Sequence, residues 1–478
     1  MQTKNVTRKF YPILTSFLSY LPSRFLVILN SIIIIPFFAY MLTTREMGVY
    51  QLAIGMLNLL CTCSTDWITK SALRFYEKYK IKNKLPEFYS NIIFISLSVY
   101  LLIVIFYFLS ANYISTRYFI SKDVLALLLV LIIPCGIRQF LYQMLRIFNK
   151  PFLYTFSIVI YQCTQLLFYL ALFKIFGNVK AILSAMTIAM VIIDIYIIKK
   201  LKFESSLKLS FEPQLFKEAL QYSLPTIVTN SGIWLLFYMN QFTFQRLEMF
   251  NLTASSGIAW VYTTYILTPL LSTFMFAVFP IIIKRYEHNQ NVKEITTNTI
   301  KLYCTLFIPL LSIFIFYSRE IASTVFNLKY EQTYIILPFF ALTIFLHQLM
   351  KILNIKYHLE NKTYIEMLIT NLGIVLCIIL TLKLIPIYHL AGAGISMLIS
   401  IIFLITLHSL VHFKSLDYIN TKSIFKTVLL TLGTGILIYA LIVICLGNVN
   451  GKFQIIKPLI FLPLYYYSLW QLKEKILN

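Results

Sequence analysis

The chain has 478 residues, 59% of them hydrophobic and 12% charged, and a mean hydropathy of +0.79. That composition excludes a soluble globular domain and an intrinsically disordered chain. The formal net charge of +23 does not indicate nucleic acid, because the basic residues sit in short stretches between apolar runs and form no separate domain. A transmembrane barrel is excluded as well. Runs such as "NIIFISLSVYLLIVIFYFL" are continuously apolar, where barrel strands alternate over about 10 residues.

Apolar windows of the roughly 20 residues that a helix needs to cross the hydrocarbon recur along the chain, and charged or turn-rich breaks divide it into fourteen expected helices. The first, 11–42, carries Pro22 and then Arg24, about 13 residues in, which at 1.5 Å per residue lies near mid-membrane. The second, 47–76, contains "TDWITKSALRFY", where Asp66, Lys70 and Arg74 fall at i, i+4 and i+8 on one stripe. The third to sixth run 87–111, 118–148, 151–174 and 178–200, with Arg138 inside the fourth and Asp194 inside the sixth. A polar stretch, "LKFESSLKLSFE" at 201–212, precedes 213–246, which holds Pro225, Trp234 and the polar residues Asn230, Asn240, Gln241 and Gln245. The remaining helices are 253–286, 293–320, 330–358 with Lys351 inside it, 362–385, 388–414, 421–446 and 452–473.

An internal echo organises these elements. "LPS" at 21–23 returns as "LPT" at 224–226, each near the start of a first helix, and "NKP" at 149–151 returns as "NKT" at 361–363, each between a fourth and a fifth. The expected organisation is therefore a six-helix lobe over 1–200, a cytoplasmic linker at 201–212, a parallel six-helix lobe over 213–414 and two further helices within 415–478. With the N-terminus in the cytoplasm, more than half of the Lys and Arg residues fall on the cytoplasmic side, so both termini are expected there.

Charges within spans cost several kcal/mol unless they face protein or water, so they mark candidate sites. Cations outnumber acids in these helices, which implies an anionic guest. Arg24, Lys70, Arg74, Arg138 and Lys351 are the candidate cavity cations, and aligning Lys150 with Lys362 puts Arg138 and Lys351 at nearly the same repeat position. Trp234 and Asn240 are candidate sugar contacts, Asp66 and Asp194 candidate ion-coupling acids, and Pro22 and Pro225 candidate hinges. The seven cysteines lie in apolar segments at spacings that suit neither a metal site nor a disulfide framework, and no catalytic constellation, P-loop or HExxH spacing is present. No cofactor, metal or enzymatic activity is expected.

"LTTREMGVYQLA" followed by "DWITKSALRFY" resembles the first two helices of bacterial polysaccharide transporters, with Gly48, Tyr50, Asp66 and Arg74 at the family's Gly-x-Tyr, Asp and Arg positions. "VFNLKYEQTYIILPFFAL" and "IPIYHLAGAGISMLIS" are similar to later regions of the same family. The resemblance is to the multidrug/oligosaccharidyl-lipid/polysaccharide (MOP) flippase superfamily, in its O-antigen (Wzx-type) branch. Two positions depart from the pattern: Ala259 stands where tyrosine is expected, and His389 follows Tyr388 where the family often has glycine.

The resemblance implies an all-α, polytopic, MATE-like transporter of the bacterial cytoplasmic membrane. It would move an undecaprenyl-diphosphate-linked oligosaccharide to the outer leaflet by alternating access. It would work as a monomer in the bilayer, alongside polysaccharide polymerase and chain-length machinery. A diphosphate suits arginine forks in a low-dielectric cavity. The alternatives are a drug/cation antiporter of the same superfamily, which should display carboxylates, and a membrane O-antigen polymerase or ligase, which should carry a long outer loop.

Overall fold

The computed structural model describes residues 24–25, 28–29, 32–66, 69, 76, 79–148, 150–176, 178–201, 213–288, 292–326, 328–360, 362–411, 421–446 and 456–472. Pro22, Lys70, Arg74 and the 202–212 linker lie outside them. No strand occurs among the described residues. The helices are α1 (Ile32–Met41), α2 (Thr44–Cys61), α3 (Leu85–Tyr118), α4 (Lys122–Ile147), α5 (Pro151–Phe176), α6 (Val179–Leu201) and α7 (Pro213–Arg246). They continue with α8 (Phe250–Glu287), α9 (Val292–Phe316), a short α10 (Ser318–Val325), α11 (Thr333–Leu359), α12 (Thr363–Val411), α13 (Thr421–Leu446) and α14 (Ile456–Gln471). Ten spans among the described residues are long and apolar enough to cross a membrane.

Local chemistry sets several boundaries. "TTRE" starts α2 with a capping box, in which the Thr43 hydroxyl accepts from the Glu46 amide at 3.2 Å and Glu46 accepts from the Thr43 amide at 3.0 Å. Ser121 caps α4 by accepting from the Val124 amide at 3.4 Å. Pro151 and Thr363 each open a helix directly after the echoed lysines, Lys150 and Lys362. The expected helix over 293–320 stops instead at Phe316, and Ser318 begins a separate helix.

The chain divides into two compact units, Leu42–Ala254 and Met1–Met41 together with Ser255–Asn478. In the first, α4 is packed by α2, α5 and α6 around Leu52, Leu57, Leu128, Leu131, Leu183 and Ile193. Helix α3 is covered least, and Leu101, Leu102, Phe108 and Leu109 on it are exposed, as a hydrocarbon-facing helix requires. In the second unit α9 packs against α11, α13 and α14. Tyr303 of α9 is fully buried and donates to the Phe345 carbonyl at 2.8 Å, so its hydroxyl is satisfied within the protein. The α13–α14 pair docks through Ile438, Ile442, Phe461 and Tyr465 onto Tyr317.

The 49-residue α12 is two expected spans joined at one point, His389, whose φ of 50° and ψ of −123° are non-helical. This is the position at which the resemblance led glycine to be expected. An L-residue there is strained because its Cβ crowds the backbone, whereas glycine is not. Just beyond it, a Cβ on Gly392 would lie 2.3 Å from the Leu384 carbonyl oxygen, so the chain after the corner packs directly onto the backbone before it. Replacing His389 with glycine should therefore stabilise the protein by about 1 kcal/mol. Gly392→Ala should destabilise it by more than that, because backbone cannot yield as a side chain can. Thermal unfolding of the purified protein in detergent reads both.

Candidate functional site

In the Leu42–Ala254 unit, Arg138, Tyr142 and Arg146 stand at i, i+4 and i+8 along α4, so helical geometry puts them on one stripe. The guanidinium carbon of Arg138 lies 4.2 Å from the ring centroid of Tyr161 on α5. One turn on, the Tyr142 and Tyr154 rings meet edge-on at 5.2 Å, and Arg146 donates to the Tyr154 hydroxyl at 2.8 Å. Asp194 of α6, 4% exposed, lies within electrostatic reach of Arg138, yet both of its carboxylate oxygens lack a hydrogen-bond partner. The Nη1 group of Arg138 is likewise buried without one.

The structure thus brings together two of the residues singled out by sequence, Arg138 and Asp194. It adds Tyr142, Arg146, Tyr154 and Tyr161, which the sequence reading missed. The repeat "RQFLYQMLR" carried the signal at the same i, i+4, i+8 spacing used for Asp66, Lys70 and Arg74. The tyrosines of α5 are recognisable only through the packing of α5 against α4 and α6.

Beside this stripe, α2 passes into a π-helical turn, Thr62–Asp66, of the kind that often marks functional positions. Asp66 closes this turn. Thr62 and Thr65 donate back to the Asn58 and Cys61 carbonyls at 2.8 and 3.0 Å, and Thr65 also donates to Gln139 Oε1 at 2.7 Å. A Cβ on Gly136 would lie 2.5 Å from the Thr65 methyl, so the absent side chain lets the turn approach α4. Next to it an apolar groove of about 460 Å³ is lined by Thr65, Tyr89, Ser96, Tyr100, Ile133 and Phe140.

Trp234 is 7% exposed and stacks on Tyr238 at 5.1 Å and 14°, its Nε1 without a partner. Tyr238 accepts from Asn58 at 3.2 Å. With Met239, Phe242, Tyr107 and Tyr118, Trp234 lines a second apolar groove of about 310 Å³. Asn240, 1% exposed, accepts from the Gln241 amide at 2.7 Å and belongs to the helix interior. Pro225 is half-buried within α7, and Thr229 donates to its carbonyl at 3.0 Å. Arg24, half-buried, and Lys351, exposed on α11, belong to the other unit. No group of three or more His, Cys, Asp or Glu suited to a metal ion occurs among the described residues.

Long apolar helices with charge buried among them define a multi-pass membrane protein. The polysaccharide biosynthesis protein family matches residues 13–284. The chain belongs to that family. No curated protein matches it in sequence.

In fold it is similar to a lipid II flippase, MurJ, in an inward closed conformation. That match has a TM-score of 0.71 and 17% identity, and covers 97% of this chain and 100% of the other. It is also similar to an inward-facing multidrug resistance MATE family transporter, with a TM-score of 0.63 and 13% identity over 83% of this chain and 94% of that one. A third likeness is to the MATE multidrug transporter DinF-BH, with a TM-score of 0.56 and 14% identity over 85% of this chain and 96% of that one. The fold is thus one shared with flippases and multidrug transporters.

Arg138 and Asp194 form no ion pair, but the buried carboxyl lies within reach of the Arg138 charge, which has a thermodynamic consequence. Asp194→Leu alone should cost about 2 kcal/mol or more, because it leaves a buried guanidinium without its counter-charge, and adding Arg138→Met should recover most of that loss. Unfolding midpoints of the two single variants and the double variant measure the coupling. Simple additivity would show that the two charges do not interact.

Proposed function

We propose that this protein flips an undecaprenyl-diphosphate-linked oligosaccharide repeat unit from the cytoplasmic to the outer leaflet of the bacterial cytoplasmic membrane, for O-antigen, capsule or exopolysaccharide assembly. The observation that carries the reading is Arg138, a guanidinium on a membrane-spanning helix with one buried nitrogen unused by the protein. Keeping such a group in a low-dielectric layer is costly, and an anionic head group that the guanidinium can hold through two parallel hydrogen bonds offsets that cost. Tyr142 and Arg146 on the same face of α4, with Tyr154 of α5 against them, supply hydroxyls and a second cation.

Arg24, Lys70, Arg74 and Lys351 act in this proposal as further cavity cations, and Trp234 and Asn240 as sugar contacts. Asp66 and Asp194 are the acids through which proton or sodium movement would couple. The two lobes, 1–200 and 213–414, rock about Pro22 and Pro225, with the helices of 415–478 appended. Pro225 suits a hinge because it removes a donor from α7. The protein works as a monomer with both termini in the cytoplasm, upstream of the polymerase and chain-length machinery.

Arg138→Ala and Arg24→Ala should each lower surface polysaccharide at least about tenfold per molecule of protein present in the membrane, a loss of the size expected when a buried phosphate contact disappears. Arg138→Lys should restore only part, since an ammonium keeps the charge but loses the planar fork. Lipid-linked single repeat units should accumulate facing the cytoplasm in a strain lacking the protein. Accumulation on the outer leaflet would instead point to a polymerase, and normal surface polysaccharide in both alanine variants would remove the two arginines from the mechanism.

A further inference from the structure

A buried polar cluster joins α11 to both ends of α12 in the Ser255–Asn478 part of its unit. His408 is fully buried near the end of α12. Its Nδ1 lies 3.2 Å from the Tyr357 hydroxyl, and its Nε2 lies 3.5 Å from the amide nitrogen of Asn354. The same amide nitrogen donates to Glu366 Oε1 at 3.0 Å. Asn354 is 1% exposed, and its Oδ1 has no partner.

The Asn354 amide therefore turns its donor end toward two acceptors and leaves its acceptor end idle. That arrangement fits a neutral imidazole, with Nε2 accepting from Asn354 and the Nδ1 proton donated to the Tyr357 oxygen. A proton added at Nε2 makes the ring a donor at both nitrogens and sets it against the amide N–H. A half-turn of the amide resolves the conflict, because oxygen and nitrogen exchange places with little change of shape. Oδ1 then accepts from the imidazolium, and the N–H···Oε1 bond to Glu366 is broken. Protonation of His408 and the Asn354–Glu366 hydrogen bond exclude each other.

We propose that His408 is a proton-binding site within the helix bundle and that Asn354 senses its occupancy, trading the hydrogen bond to Glu366 for one to the imidazolium. The proton comes from solvent onto Nε2 and no other covalent bond changes. The alternative states tie the α11–α12 junction together differently, through Glu366 in one and His408 in the other. A histidine is suited to this because its unperturbed titration falls between pH 5 and 8. Among the described residues, Tyr357 and Glu366 are the titratable groups that meet the cluster. Lys351, exposed, lies one turn before Asn354, and the ion pair of Lys362 with Glu360 occupies the turn between the helices. On the neighbouring helices, Lys301 of α9 acts on Lys426 of α13, and Arg319 of α10 lies over the Tyr334 ring.

The test is nitrogen NMR of the full-length protein in lipid nanodiscs, with 15N-labelled histidine and His408→Gln to assign the resonance. His408 should gain a proton with a midpoint between about pH 5 and 8. Asn354→Leu removes the acceptor that stabilises the imidazolium, and the midpoint should fall by about one unit, a tenfold weaker proton affinity. In the protein labelled at asparagine, the Asn354 side-chain amide resonance should move with the same midpoint, because the amide leaves Glu366 as the imidazolium forms. If Asn354→Leu does not fold, that amide resonance carries the test. A His408 that stays neutral across this range overturns the proposal. So does an unchanged midpoint in a folded Asn354→Leu protein, or, where that variant does not fold, an Asn354 amide resonance that stays put while His408 titrates.

Discussion

A polar group placed in hydrocarbon must find its partner inside the protein, and the structure depends on how each such group does so. Backbone groups are satisfied by the helices themselves, which leaves the side chains as the variable part. Among the described residues, many Ser and Thr hydroxyls in the helices take the local solution and donate to a carbonyl one turn back, as Ser157, Thr263 and Ser400 do. Tyr303 reaches across to another helix. Arg138 and Asp194 are different, because neither finds a complete set of partners and each lies within the other's field. The tyrosine ring over Arg138 gives partial compensation that a hydrogen-bond inventory would not register.

Packing around α4 explains how that charge is held. Pro134 and Gly136 precede it in the helix, and the missing side chain of Gly136 admits the π turn of α2. Thr65 then ties the turn to Gln139, the residue after Arg138. The guanidinium is therefore carried on a helix fixed on one side by a close backbone approach and on the other by α5 and α6. Such fixation matters for any guest, because a charge held in place binds without first losing conformational freedom.

The His408 cluster shows a second way of meeting the same constraint. One amide meets Glu366 and His408 on the two arms of a helix that doubles back at His389, and the corner makes that meeting possible. Glu366 and His408 are far apart in the chain, on the two arms of α12, and Asn354 of α11 reaches both.

Sequence by itself determined the class of molecule, because hydrocarbon thickness fixes the length of an apolar helix and the chain repeats that length. It also marked Arg138, Asp194 and Pro225, since charge and proline are unusual in such helices, and it flagged position 389 as a departure. Why that departure matters became visible only with the backbone, where His389 takes a positive φ. The partners of Arg138, the π turn at Thr62–Asp66 and the shared amide of Asn354 were decided by tertiary structure alone. Each is a contact between helices distant in sequence, and helical periodicity shows which residues share a face without showing which face of another helix they meet.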